Sequence, residues 1–316
     1  MTSSQLRELQ EKGLITPEQL TQIEPIITHK VVSVFYELRT TLYLGVMLFT
    51  TGVGFLIYQN IGQLGHILAI IALSVLSIAC LGYCFWKGRP FSKAKVDSPN
   101  PYFDYVLLLG CLLFVSVFGY LEFQFGFLER NARLISLITA ILFFFFAYRF
   151  DHLGILSLAI TAFVAFFGIA VSWNNLESFD QLQNVGLVLS LGLGGVAIFL
   201  EKLEIKKHFT FTYLNFCALV YFPSAFAGLF DNYSDSNALY ALALYVGVAL
   251  AVVIANWKKS FLFLLYGVVA GYIVTTYLLA DHVDWSIEGW LFYLLLSAGG
   301  MVYFIVKYRN YFKRSE

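Results

Sequence analysis

What this 316-residue chain has least of is charge: Asp, Glu, Lys and Arg together make up 13% of it, about half the share of a soluble domain. Set against 59% hydrophobic and 18% aromatic residues, that scarcity excludes water as the solvent for most of the surface. Net charge is lacking too, at a formal value of zero, so no bulk attraction to nucleic acid is implied. Cysteine is sparse and unpaired in sequence. Cys80, Cys84, Cys111 and Cys217 all fall inside apolar runs, none in a CxxC pair or beside spaced histidines, which argues against a disulfide framework or a zinc site. Cys80 and Cys84 share a helix face and read as small packing residues. Catalytic signatures are lacking as well: there is no Walker loop, no HExxH and no GxSxG elbow, and the five histidines are scattered singly. The glycine-rich fragment at 192–195 lies in an apolar run, not in a strand–loop–helix setting that cradles phosphate. No catalytic, metal-ligating or cofactor-binding residue is assigned, and the expectation is a protein without enzymatic activity.

What is present is apolar sequence in long runs. Crossing a hydrocarbon core about 30 Å thick takes roughly 20 apolar residues in a helix, the one single-segment structure that satisfies its own backbone. That ruler marks ten spans, near 40–59, 64–86, 103–122, 132–149, 152–173, 184–200, 209–229, 238–256, 261–279 and 288–306. Polar separators such as KGRPFSKAKVDSPNPY (87–102), EKLEIKKH and WKKS divide them. The thinnest division is RFDH at 149–152, and it is a division because a single helix there would bury several ionisable side chains at mid-membrane. The resulting plan is a 1–39 cytoplasmic segment, a 40–306 transmembrane bundle and a basic 307–316 tail. The first apolar run begins near residue 40 behind charged sequence, so the first span is expected to be an uncleaved anchor.

Orientation follows from the basic residues, which are enriched in loops left in the cytoplasm. With the N-terminus inside, 18 of the 20 Lys and Arg fall on the inner side, and only Arg130 and Arg133 lie outside. The outer face is then net acidic, a by-product of excluding Lys and Arg. Aromatics gather at span ends, as Trp86, Tyr102, Trp257 and Trp290 do, where amphipathic rings suit the headgroup layer. FFFF (143–146) reads as lipid-facing or packing bulk.

The first forty residues have a different character. Leu6 and Leu9 share a helix face, Gly13 suits the left-handed position after a helix, and Leu14 falls back on Leu9. Ile15, Thr16, Pro17 and Gln19 then form the start of a second helix, with Ile15 and Leu20 able to staple across it and Ile23 continuing its apolar face. This helical hairpin is expected to be a docking element for a cytoplasmic or membrane partner. The pattern LRELQEKGLITPEQLTQI, followed by a polar helix and a train of spans, resembles the bacterial membrane-protein family catalogued as domain of unknown function 2157. The resemblance implies a cytoplasmic-membrane location and transfers no catalytic residue.

Polar groups inside or at the ends of spans are the remaining candidates. Glu122, at the outer end of the third span, is read as pairing with Arg130 or Arg133, with a substrate or proton role as the rival. His66 is read as interfacial. Arg149, Asp151 and His152 are read as a solvated turn, with a charged latch as the rival. In the seventh span Asn215 and Pro223 stand out, because transporters use interrupted helices to expose backbone groups to substrate. Gly267 and Gly271, like Ser190 and Gly194, have the spacing that lets helices approach closely.

The fold class is therefore all-α, a polytopic integral membrane bundle of about ten helices with both termini cytoplasmic. Its certain partner is the lipid bilayer. Three functions compete: a non-enzymatic scaffold or regulatory protein docking through residues 1–39, a secondary transporter with a site near Asn215 and Pro223, and a membrane-embedded enzyme acting on lipid. The last fares worst, since such chemistry needs clustered acids, histidines or metal ligands.

Overall fold

A computed structural model of the chain describes residues 35–60, 63–100, 102–126, 132–174, 179–230, 237–283 and 286–308. The hairpin residues Leu6, Leu9, Gly13, Leu14, Ile15, Leu20 and Ile23 lie outside the described residues, as does most of the basic tail.

Among the described residues the chain is all-helical: α1 Phe35–Asn60, α2 Gln63–Lys87, α3 Phe103–Phe125, α4 Ala132–Phe150, α5 Leu153–Asn174, α6 Phe179–Lys202, α7 Phe209–Leu229, α8 Asn237–Lys258, α9 Phe261–His282 and α10 Ile287–Tyr308. Each of the ten expected apolar runs falls on one of these helices. Eight are long and apolar enough to cross a membrane, while the apolar stretches described for α1 and α5, Thr40–Phe55 and Leu153–Gly168, are shorter.

Two compact units divide the chain, 1–69 and 70–316. In the first, α1 satisfies its own hydroxyls: Thr50 donates to the Val46 carbonyl at 3.0 Å and Thr51 to that of Met47 at 2.8 Å. This is how Ser and Thr are tolerated where no water reaches. Leu44, Leu48, Phe49 and Phe55 are exposed.

In the second unit, α4 with α5, α6 with α7 and α8 with α9 form antiparallel hairpins, and α7 touches α5, α6, α8 and α9. Without a hydrophobic force between helices in lipid, close approach depends on small residues and shape. Gly186 of α6 lies under Ser224 of α7, and Gly194 faces the Cys217 sulfur at 3.3 Å, measured to a Cβ added at the glycine. Between α7 and α8 the fit is reciprocal. The Tyr240 ring of α8 sits on Gly228 of α7, and the Tyr221 ring of α7 sits on Gly247 of α8. Tyr221 also donates to the Ala243 carbonyl at 2.7 Å, and Tyr240 to Asn184 Oδ1 of α6 at 3.0 Å. Around these rings Phe222, Ala225, Leu229, Leu244, Ala270 and Val274 complete a buried cluster. Gly267 and Gly271 of α9 face Val248 of α8, with Gly267 also against Ala251.

At the margins, Ser77 of α2 donates to the Gly110 carbonyl of α3 at 2.9 Å. Hydrogen bonds Tyr272–Ser297 and Thr276–Tyr293 join α9 to α10 at 3.1 and 2.8 Å. The phenylalanine run divides by helical geometry: Phe143 and Phe146 are buried, and Phe145 is exposed.

Candidate functional site

The connections α2–α3, α4–α5, α6–α7 and α8–α9 are the ones that strict alternation puts on a single side. Three of the helices entering them, α4, α6 and α8, stop in the same way. Asp151, Glu204 and Lys259 follow them with φ of 61°, 56° and 47°, the left-handed position usually given to glycine. Each is closed by a bond back to the fifth preceding residue: His152 N to Ala147 O at 3.1 Å, Ile205 N to Leu200 O at 3.2 Å, and Ser260 N to Ala255 O at 3.0 Å. Lys206, with φ 48°, is a fourth left-handed residue in the same set of turns. Such conformations cost about 1–2 kcal/mol each outside glycine, so tertiary contacts must hold them.

The contacts converge on Asp151. Its Oδ2 accepts from Lys206 Nζ at 2.8 Å and from the Val96 backbone N–H at 2.5 Å, and its Oδ1 bonds His208 Nε2. The Asp151 and Lys206 side chains are each 1% exposed and that of His208 is 22%. Lys206 Nζ also donates to the Ala94 carbonyl at 3.2 Å and stands 5.4 Å from the Phe91 ring centre, while the Lys206 N–H donates to Lys93 O at 2.7 Å. The 88–102 loop is thereby strapped over two other turns. Arg149 fixes its start, donating to the Arg89 carbonyl at 2.6 Å. His152 is buried beside the centre, and its Nδ1 accepts from the Ile155 N–H at 3.0 Å, capping α5. At the same end Lys258 of α8 meets Glu201 of α6 at 2.6 Å.

The turn at Arg149, Asp151 and His152 is therefore not solvated. Charge in that turn is buried because the opposite charge of Lys206 and a ring nitrogen of His208 arrive from some 55 positions later in the chain. Burying a carboxylate is tolerable only when its lone pairs are filled, and here three donors fill them. Lys206 and His208 had no sequence signal beyond a basic loop. The one available hint was a lone acid in a turn facing loops otherwise rich in Lys.

The other sequence candidates lie elsewhere and apart. Glu122 is buried near the far end of α3, and Arg133 stands 5.6 Å from the Phe166 ring centre. Arg130 falls outside the described residues. His66 is on α2 within the first unit. Asn215 Oδ1 accepts from Tyr266 of α9 at 2.8 Å. Pro223 sits inside an otherwise continuous α7, where its missing N–H leaves the Leu219 carbonyl without its usual donor.

A train of apolar helices with a latched polar end defines the class: a multi-pass helical membrane protein. Residues 7–156, just under half of the chain, match the family described as "Predicted membrane protein (DUF2157)", and the resemblance seen in the opening motif holds over that stretch. No curated protein and no solved structure matches the chain.

Proposed function

We infer that this chain is a non-enzymatic scaffold of the bacterial cytoplasmic membrane, with both termini inside, presenting a rigid inner face to a protein partner that residues 1–39 recruit. The observation that carries the reading is the Asp151 centre. A single buried carboxylate ties together the 88–102 loop, the α4–α5 turn and the α6–α7 turn. Ordering three connections around one charge gives a preformed surface, and preformed surfaces bind with less entropic loss. The amphipathic hairpin supplies the recognition element by its sequence pattern.

The test places a photoactivatable amino acid at Leu9 or Leu20 of the full-length chain in growing cells. Discrete adducts of defined mass are expected from both positions, and their loss is expected in an Asp151→Asn chain that still inserts. Absence of adducts from an inserted wild-type chain overturns the reading. A second reading, secondary transport beside α7, is favoured by Pro223 inside that helix. It predicts that Asn215→Leu changes the distribution of a small molecule across the membrane without loss of the folded chain.

A further inference from the structure

The α5–α6 face carries a cavity of about 570 Å³ that shares no lining residue with the latch and is lined in part by Phe163 and Phe167 of α5 and by Asn184, Val188, Gly192 and Val196 of α6. That volume lies in the range of roughly 300–1,000 Å³ typical of organic-ligand sites. Its length is informative. From Asn184 to Val196 the groove runs about 18 Å along α6 at 1.5 Å per residue, close to the ~15 Å depth of a single leaflet. It starts at the N-terminal end of the apolar run 184–200.

Its chemistry is one-sided. The lining is uncharged, and its one amide is Asn184 at the end, engaged by the Tyr240 hydroxyl. An ion or a polar metabolite would lose its hydration there without replacement, whereas a hydrocarbon chain loses nothing. The floor is bare at Gly192: a Cβ there would meet nothing within 4 Å, whereas at Gly186 and Gly194 on the same helix it would meet side chains of α7. Finally, the groove is continuous with surface that faces lipid, since Val188, Leu191 and Phe199 are exposed apolar residues on a helix long enough to span the bilayer.

We propose that the α5–α6 groove is a phospholipid site: it takes a single acyl chain of a lipid whose headgroup lies at the Asn184 end, and it holds that chain longer than the surrounding lipids are held. The proposal is independent of the scaffold reading. It is tested with the full-length chain in phosphatidylcholine vesicles containing a phosphatidylcholine with a diazirine in one acyl chain, irradiated and mapped by mass spectrometry.

Adducts are expected to concentrate several-fold on Phe163, Phe167 and residues 188–196 over Leu250 and Val253 of α8, which are also exposed. Gly192→Leu fills the empty floor and is expected to bring groove labelling down to the α8 level. Gly195→Leu, whose Cβ likewise meets nothing within 4 Å but which lies off the groove, should leave labelling intact. Even labelling in the wild-type chain overturns the site without recourse to any variant. So do undiminished labelling in a folded Gly192→Leu chain, capture of a photoactivatable fatty acid but not of the phospholipid, and crosslinks joining α6 of two copies in place of lipid adducts.

Discussion

Asp151 holds three donors with one carboxylate, so its removal costs more than any one of its bonds. Asp151→Asn leaves the Lys206 ammonium buried without a counter-charge, and loss of one partner of a buried pair costs about 3–5 kcal/mol. A drop of that order is expected in the unfolding free energy measured by SDS titration in mixed micelles. Lys206→Met should also destabilise, and the double substitution should cost less than the sum by about 0.5–3 kcal/mol, because the two side chains form a single interaction. Glu204 shows the opposite balance. Its exposed pair with Lys207 at 3.2 Å contributes at most about 1 kcal/mol, whereas its left-handed backbone carries strain of about 1–2 kcal/mol. Glu204→Gly is therefore expected to raise the unfolding midpoint slightly, while Asp151→Gly lowers it, although both residues occupy the same position after a helix.

At the scale of elements, the packing of α7 on α8 depends on two glycines that accept aromatic rings. Gly228→Ala puts a methyl into the Tyr240 ring and Gly247→Ala does the same to Tyr221. Overpacking of that kind costs about 1–3 kcal/mol, to be read as a lower unfolding midpoint. Gly119→Ala, which meets nothing within 4 Å, should not lower it. The helices themselves were legible in the sequence, because an apolar run of membrane length has few alternatives to a helix. Even the weak division at 149–152 was readable, since its ionisable residues could not lie at mid-span. The latch was legible only as the rival reading of Arg149, Asp151 and His152, without the residues that close it. Its partners are separated by two whole helices, and basic residues in a loop between spans already have an account in the tendency of Lys and Arg to gather on one side of a membrane, so nothing in Lys206 or His208 marks them as buried. The identical helix endings escaped for a related reason: the usual sign is glycine, and Asp151, Glu204 and Lys259 occupy those positions instead. Pairings across helices, such as Asn215 with Tyr266 and Tyr240 with Asn184, depend on rotation about each helix axis, which an apolar run on all sides leaves open.

For the whole molecule, the segregation of Lys and Arg predicts a sidedness that chemistry can read. A single cysteine at Ser92, exposed in the strapped loop, should react with an impermeant thiol reagent only from the cytoplasm, and one at Ser234 only from outside. The reverse pattern would overturn the orientation. The strap gives a second readout. In inverted vesicles, Asp151→Asn should make the 88–102 loop a faster target for trypsin at Lys93 and Lys95, because the Val96 and Lys206 bonds that order it are lost.

Tyr221 and Tyr240 stand seven positions from Gly228 and Gly247 on their own helices, each ring pinned on the opposite helix. A slide of α7 past α8 by one turn, about 5.4 Å, would have to unseat both rings at once. The two helices thus behave as a keyed shaft, and any gating stroke of this protein must carry them together and take up its motion at some other seam.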